Sequence, residues 1–102
     1  MIFMKIALPV LRDSVAPRFD CTEEFLIVEI DEGNIVQRYI LECPERNVLK
    51  RALMLIQVPV KVIICGRIDN FSLRLFQDRN LKVITGQYGL LDAVLQYWLN
   101  TF

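Results

Sequence analysis

The sequence predicts an α/β domain built on a five-stranded mixed sheet with helices on both faces. Short apolar runs alternate with segments of helical periodicity in the second half of the chain, and a tight turn joins two apolar runs in the first half. Because tight turns join antiparallel strands and helical crossovers join parallel ones, the sheet is expected to contain both kinds of pairing. The length of 102 residues predicts one domain spanning residues 1–102.

The apolar periodicity predicts three strands, followed by alternating helices and strands. In chain order the expected bounds are 4–10, 25–30 and 35–41 for the first strands, then 45–57, 60–65, 71–79, 81–84 and 90–100 for helix, strand, helix, strand and helix. Pro9 is expected to end the first strand, and Asn70 to cap the second helix. Arg51 belongs to the polar positions of the first helix, which are expected to face away from its apolar side.

A hairpin turn is predicted at residues 31–34, where Gly33 and Asn34 tolerate a positive φ. Apolar and polar residues alternate in the strand that follows, as is typical of a sheet edge with one solvated face. The fourth strand is almost continuously apolar, which favours a parallel position covered on both faces.

The composition excludes several classes of function. Twelve Lys and Arg residues balance twelve Asp and Glu residues, so the basic footprint of a nucleic-acid-binding protein is missing. The chain contains no histidine, which excludes Ser-His-Asp and Cys-His catalysis and histidine ligation of zinc. No apolar run approaches the roughly 18 residues of a membrane helix. We therefore expect no nucleic-acid partner, no membrane partner and no enzymatic activity.

The three cysteines indicate the compartment. Cys21, Cys43 and Cys65 form an odd and small set, which does not suit a secreted, disulfide-bonded scaffold. The first five residues contain no charged segment before the apolar run and no cleavage site, so a signal peptide is not expected. These features favour a cytoplasmic location.

Six segments spread over the chain together carry a resemblance to a known family. They are Met4–Val10, Ser14–Phe19, Phe25–Val28, Glu32–Val36, Val62–Gly66 and Leu81–Gly86. In these segments the chain resembles the dinitrogenase iron-molybdenum cofactor biosynthesis family, the domain of NifX-type proteins and of the C-terminal part of NifB-type proteins. The resemblance implies a three-layer ribonuclease H-like fold with strand order 3-2-1-4-5 and an antiparallel second strand. It also implies the binding or transport of an iron-sulfur or iron-molybdenum-type cluster.

The chain departs from the family pattern at two places. Where family members commonly have His-Phe-Gly, this chain has Arg18-Phe19-Asp20. Where they commonly have Cys-Gly-Gly, it has Cys65-Gly66-Arg67. The first departure removes an imidazole that would be an obvious ligand for a cluster.

With the implied strand order, three loops meet beyond the carboxyl ends of the strands, where open α/β sheets bind ligands. Guanidinium groups and helix N-termini there favour an anion. The expected ligand-binding residues are Arg12, Ser14, Arg18, Phe19, Cys65, Gly66, Arg67 and Gly86. The alternative is that the arginines pair with Asp13, Asp20 and Asp69 as solvated ion pairs of little energetic value.

The same edge is expected to collect the cysteines. Cys21 and Cys65 flank the first strand and are the better pair of metal ligands, whereas Cys43 and Cys65 would start roughly 14 Å apart at the usual strand spacing. The alternative is a set of three unconnected and partly buried thiols.

The C-terminal helix offers a candidate interface. Trp98 belongs to the apolar stripe of this helix that is expected to face the core. Tyr97, Leu99 and Phe102 lie outside that stripe, and we expect them to contact a second copy or another partner.

Two hypotheses of function follow. The first is a non-catalytic binding or carrier protein that holds a metal-sulfur cluster or its precursor and exchanges it with a donor or acceptor protein. The second is a protein–protein interaction or regulatory module that has lost ligand binding. An open crevice with Cys65 exposed would favour the carrier, and a crevice filled by Phe19 and ion pairs would favour the module.

Overall fold

Apolar side chains on both faces of the strands pack one mixed sheet between two helical layers in the computed structural model. The structure describes residues 4–101. The strands are β1 Met4–Leu11, β2 Ser14–Val15, β3 Glu24–Asp31, β4 Asn34–Glu42, β5 Val62–Ile64 and β6 Lys82–Ile84. The helices are α1 Val48–Gln57, α2 Asn70–Asp78 and α3 Leu91–Leu99, and a 3-10 turn covers Phe19–Cys21. None of these helices is long and apolar enough to cross a membrane.

The sheet is six-stranded and follows the path β4-β3-β1-β5-β6, with β2 paired to β1. Strand β3 is antiparallel to both β1 and β4, whereas β1, β5 and β6 are parallel. The α/β class with mixed pairing is therefore confirmed, but the prediction of five strands is wrong. The additional strand β2 has two residues, too few to produce an apolar pattern in the sequence, and it shifts the strand numbering of the expected order.

The two faces of the sheet pack against different helices. On one face, α3 covers side chains that include Ile6, Leu8, Val28, Ile64 and Leu95. On the other, α1 and α2 cover side chains that include Ala7, Ile27, Leu55, Ile63 and Phe76. Successive side chains of a strand point to opposite faces of the sheet, and the central strands β1 and β3 are buried on both faces. The three layers therefore enclose two cores.

Pro9 does not end β1, contrary to the prediction. The Lys5 carbonyl accepts a hydrogen bond from the Lys61 N–H, so the odd-numbered residues of β1 direct their backbone groups away from β3. Pro9 is one of these residues and lies opposite Phe25 without needing an N–H group there. The strand continues to Leu11 for this reason.

Two helix starts also differ from expectation. Helix α1 begins at Val48 rather than near residue 45, because the Asn47 side chain caps it by accepting a hydrogen bond from the Lys50 N–H at 3.0 Å. Helix α2 is capped by Asp69, whose Oδ2 accepts from the Ser72 N–H at 2.8 Å, and Asn70 is already its first residue.

The turn between β3 and β4 has two central residues with positive φ. They are Glu32 at 51° and Gly33 at 81°, between the paired residues Asp31 and Asn34. The sequence analysis named Gly33 and Asn34 as the residues that tolerate a positive φ, whereas the structure has positive φ at Glu32 and Gly33. Positive φ at both central positions is the type I′ geometry that matches the twist of a hairpin, and Asn followed by Gly is its preferred sequence.

We expect the substitution Glu32→Asn to stabilise the protein by about 0.5–1 kcal/mol, because asparagine adopts a positive φ at lower cost than glutamate. Urea unfolding followed by circular dichroism measures the change in midpoint. Glu32→Gln is the matched control, since it removes the charge and keeps the longer side chain, and it should leave the midpoint almost unchanged. An equal gain from both substitutions would assign the effect to charge.

Candidate ligand site at the carboxyl edge of the sheet

Residues 12–15 reverse the chain at the end of β1. Arg12 has a φ of 60°, and this tight turn allows Ser14 and Val15 to pair with the end of the strand. The Val15 N–H donates to the Gly89 carbonyl at 2.8 Å, and the Leu91 N–H donates to the Asp13 carbonyl at 3.0 Å. The turn is thereby fixed to the start of α3, and Arg12 is presented at the carboxyl edge of the sheet.

The segment 16–19 lies between the extensions of β1 and β5. The Ala16 N–H donates to the Pro9 carbonyl at 2.8 Å, on the β1 side. On the β5 side, the Arg67 N–H donates to the Pro17 carbonyl at 2.9 Å and the Arg67 carbonyl accepts from the Phe19 N–H at 2.8 Å. This backbone occupies the crevice that open α/β sheets usually offer to a ligand at this point.

Gly66 makes this close approach of two backbones possible. A Cβ atom at this position would lie 2.7 Å from the Pro17 carbonyl oxygen and 2.7 Å from Cε1 of Tyr88. Since real contacts of a Cβ are longer, any side chain would force the loop or the tyrosine away. Gly66 therefore serves as a spacer under the loop.

Phe19 and Cys65, both expected to contact a ligand, lie in the core beneath the loop. The Phe19 ring is 1% exposed and packs against Phe25 and Phe76, with centroids 5.4 and 5.6 Å apart. Cys65 is fully buried, and burial raises the pKa of its thiol to about 12. The thiol is therefore neutral and covered.

Arg51 on α1 is a structural residue that the sequence pattern placed wrongly. It was expected on the polar side of α1, but it is buried and donates from Nη2 to the Phe19 carbonyl at 2.6 Å and from Nη1 to the Glu45 carbonyl at 3.0 Å. Its guanidinium also lies 5.8 and 5.7 Å from the ring centroids of Phe19 and Phe25. Arg51 thus fixes the 3-10 turn that contains Asp20 and Cys21 against α1. No spacing of residues in the sequence predicts this contact.

A cavity of about 320 Å³ opens on the outer side of this loop. It is lined by Val10, Leu11, Arg12, Ala16, Pro17, Arg18, Cys21, Thr22, Glu23 and Glu24. Three residues of the expected site, Arg12, Arg18 and Cys21, meet here. The guanidinium of Arg12 makes no ion pair or hydrogen bond with any residue between 4 and 101.

A smaller cavity of about 270 Å³ adjoins Arg18 on the side of α2. It is lined by Arg18, Asp20, Arg67, Ile68 and Asp69. Arg67 is exposed and has no side-chain partner in the described part of the chain. Asp69 is committed to capping α2 and not to pairing with an arginine.

Asp20 holds Arg18 in a two-point contact, with Nε 3.1 Å from Oδ1 and Nη2 2.8 Å from Oδ2. Burial on its own raises the pKa of Asp20, but the hydrogen bond and charge of Arg18 outweigh it, and the net shift is downward. Asp20 is therefore ionised at neutral pH. Of the ion pairs considered as an alternative to ligand binding, this one forms, whereas Arg12 and Arg67 remain available for an anion.

The cysteines do not converge. Cys21 is exposed with its Sγ 3.6 Å from Oδ1 of Asp20, whereas Cys43 is buried with its Sγ 3.5 Å from Sδ of Met54. Burial raises the pKa of Cys43 despite the opposing charge of Arg51. Among residues 4–101 no group of three or more histidine, cysteine or acidic side chains is arranged to hold a metal ion. Cys21 and Cys65, the expected ligand pair, therefore differ in access, since one is exposed and the other lies in the core.

The remaining candidates lie elsewhere. Ser14 donates from Oγ to Asp13, and Gly86, with a φ of 73°, donates its N–H to the Gly66 carbonyl, so neither lines a cavity beside Arg18. Tyr97 is 72% exposed, whereas Leu99 is partly buried against the core on the α3 side. Phe102 lies outside the described residues.

Comparison with known proteins identifies the family of this chain. Residues 4–101 match the model of a family described as dinitrogenase iron-molybdenum cofactor. The chain belongs to this family. The match covers every element of the sheet and all three helices, so family membership applies to the whole described domain and not to one motif.

Individual relatives are similar to this chain in sequence or in fold. An uncharacterised protein of Methanocaldococcus jannaschii is 29% identical over 101 residues, which cover 94% of this chain and 86% of the relative. The crystal structure of PH0822 superposes with a TM-score of 0.89 at 19% identity, covering 96% of this chain and 92% of that one. A candidate dinitrogenase of M. jannaschii gives a TM-score of 0.82 at 21% identity, covering 99% and 92%. At these identities the structural likeness establishes the fold.

Thiol accessibility provides a direct test of the site geometry. We expect one thiol per chain, that of Cys21, to react with an aromatic disulfide reagent in the native protein, and all three to react in guanidinium chloride. Absorbance of the released thiolate measures both values. Cys21→Ser should abolish the native reaction, and a native chain that titrates more than one thiol would contradict the buried positions of Cys43 and Cys65.

Proposed function

We propose that this protein is a non-catalytic carrier that binds an anionic metal-sulfur cargo, either an iron-molybdenum-type cluster or its precursor. The cargo occupies the cavity lined by Arg12, Arg18 and Cys21. The observation that supports this proposal most directly is that Arg12, whose guanidinium has no partner in the described part of the chain, lines a cavity in a member of the iron-molybdenum cofactor family.

The donor set fits an anionic cargo with sulfide on its surface. Guanidinium N–H groups donate charge-assisted hydrogen bonds to anions, and the guanidinium of Arg12 has no partner among residues 4–101. Cys21 is the exposed cysteine of the chain and supplies a soft sulfur ligand for iron or molybdenum. The cavity volume of about 320 Å³ lies at the small end of ligand pockets.

The lining of the cavity also contains two acidic residues. Glu23 and Glu24 line the cavity together with the basic residues, and both are exposed. Their charges oppose the binding of an anion and keep its affinity moderate. Moderate affinity suits a carrier, because the cargo has to leave for an acceptor protein.

Several finer features belong to the same proposal. The carrier works with a donor and an acceptor of the cluster and performs no chemical step of its own. Its three free cysteines favour a reducing compartment, the cytoplasm. The order of the five longer strands, with β3 antiparallel within a three-layer domain, supports a ribonuclease H-like architecture.

A second candidate function is an interaction module without a ligand. The criterion given in the sequence analysis favours it: the segment 16–19 fills the crevice, Phe19 and Cys65 are buried, and Arg18 is already paired with Asp20. The two functions differ in what they require of Arg12. A carrier needs its charge, and an interaction module of this kind does not.

Binding of a molybdenum-sulfur anion tests the carrier. Under anaerobic conditions we expect the protein to retain tetrathiomolybdate, and separately a preformed iron-molybdenum cluster, after gel filtration, as measured by absorption spectroscopy and metal analysis. The double substitution R12A/R18A should weaken binding about 10-fold or more, because each lost charged hydrogen bond is worth roughly 1.5–3 kcal/mol. Arg74→Ala, an exposed arginine on α2, is the matched control and should bind like the wild type.

A colourless wild-type protein with both probes would reject the carrier and leave the interaction module. Equal binding by wild type and R12A/R18A would instead reject this cavity as the site. Cys21→Ser separates thiolate ligation from electrostatic binding: it should weaken retention of the iron-containing cluster more than that of tetrathiomolybdate.

Asp20 competes with the cargo for Arg18 in this proposal. We expect Asp20→Asn to release the guanidinium and raise the affinity for tetrathiomolybdate several-fold, measured by equilibrium dialysis. The cost in folding stability should stay within about 1 kcal/mol, because the ion pair is exposed at the surface. The control Asp78→Asn removes a carboxylate at the end of α2. A comparable gain in affinity from this control would show that the effect of Asp20→Asn comes from the change in net charge and not from the release of Arg18.

A further inference from the structure

Strand β4 forms one edge of the sheet and carries exposed apolar side chains. Its neighbour is β3, and no described strand pairs with its outer side. Ile40 is 47% exposed and Val36 is 50% exposed, which is unusual for large aliphatic residues in a nine-residue strand. Such an edge is a ready template for another strand.

The backbone groups that face outward can be identified from one hydrogen bond. The Cys43 N–H donates to the Glu23 carbonyl at 2.7 Å, so these two residues form a hydrogen-bonded pair of the antiparallel ladder. The direction of the backbone groups alternates along a strand. The backbone groups of Leu41 and Tyr39 therefore also face β3. In the second half of β4 the N–H and C=O groups of Arg38, Ile40 and Glu42 face outward, where no described strand pairs with them.

The side chains of these three residues form a self-complementary row. Arg38 lies opposite Val28 and Ile40 opposite Leu26, both on the sheet face that packs against α3. The three side chains are spaced two residues apart along the strand, and they are basic (Arg38), apolar (Ile40) and acidic (Glu42) in that order. In an antiparallel copy with its axis at Ile40, each Arg38 lies across from the partner's Glu42, and Ile40 lies across from its own copy.

Glu42 itself lacks a cation. It lies directly opposite Glu24 on β3, a like-charge pair that is unfavourable between neighbouring strands. Neither carboxylate has an ion-pair partner among the described residues. A guanidinium from a second copy would neutralise this acidic pair, whereas Arg38 of the same chain contacts Asp92 at 3.1 Å.

We propose that a second copy of this chain pairs with β4 through residues 38–42 and makes a continuous sheet across a two-fold axis at Ile40. Other registers are less favourable: an axis at Arg38 places two guanidinium groups opposite each other, and an axis beyond Ile40 brings Pro44, which has no N–H, opposite Arg38. The β-bulge near Ile30 restricts flat pairing to the second half of the strand. Tyr97 is more exposed but offers no comparable charge complement.

The dimer is expected to be weak and concentration-dependent. A five-residue strand pairing buries less than the roughly 800 Å² per partner of a standard stable interface. Sedimentation velocity over a concentration series should therefore show the wild type shifting from monomer to dimer as the concentration rises. Glu42→Arg should raise the dimer dissociation constant at least about 10-fold, because it faces the partner's Arg38 with a like charge.

A charge swap tests the register. R38E/E42R in an Asp92→Asn background should restore dimer formation relative to Glu42→Arg; the background removes the carboxylate beside position 38. Asp92→Asn alone should not weaken the dimer, because it frees Arg38 for the partner's Glu42. Tyr97→Lys should leave the dimer unchanged. Circular dichroism verifies that each variant is folded.

A wild type that stays monomeric throughout the series would overturn the proposal. So would dimerisation unaffected by Glu42→Arg, or a swap that fails to restore it. Loss of the dimer in Tyr97→Lys would overturn it in favour of an interface on α3.

Discussion

The candidate site depends on the backbone hydrogen bonds between the segment 16–19 and Arg67. These bonds extend the sheet beyond β5 and orient every side chain of the segment: Phe19 points into the core, whereas Arg18 stays outside. They require the absence of a side chain at Gly66, where a Cβ would meet the Pro17 carbonyl at 2.7 Å. The absence of a side chain at this glycine therefore lets the loop cover the crevice, which leaves the outer side of the loop as the accessible surface.

Arg51 provides the second attachment of the same loop and does so with an unusual choice of partners. A buried guanidinium is costly unless its donors are satisfied. Here two carbonyl oxygens accept from Nη1 and Nη2 and two aromatic rings lie nearby in place of a carboxylate, while the buried Nε has no partner among the described residues. No carboxylate among residues 4–101 forms an ion pair with this guanidinium, which lies near the turn that contains Asp20 and Cys21. Together with Arg12, Arg51 keeps this corner of the molecule suited to an anion even though Asp20 occupies Arg18.

Periodicity and turn chemistry predicted the α/β class, the alternation of helices and strands and the hairpin between β3 and β4, because these depend on local apolar pattern and on residues such as Gly33. They did not predict β2, the passage of β1 through Pro9 or the burial of Arg51. Strand β2 has two residues, too few to give an apolar pattern, and Pro9 fits in β1 because its backbone faces away from β3. The burial of Arg51 depends on its hydrogen bond to Phe19, which lies 32 residues away in the chain. For the candidate site, the sequence was sufficient to select Arg12, Arg18 and Cys21 as possible ligand-binding residues. It did not predict the path of the loop that covers Cys65.

The two proposed contacts meet at Glu24. This residue lines the cavity and is also the cross-strand neighbour of Glu42, which would receive the partner's Arg38 in the dimer. Neutralising that pair of carboxylates would lower the negative potential at the cavity and strengthen the binding of an anionic cargo. By thermodynamic reciprocity, a bound anion would stabilise the dimer by the same free energy. A loaded carrier would then dimerise more readily than an empty one, and dimerisation would lose its dependence on cargo when Glu24 is replaced by glutamine.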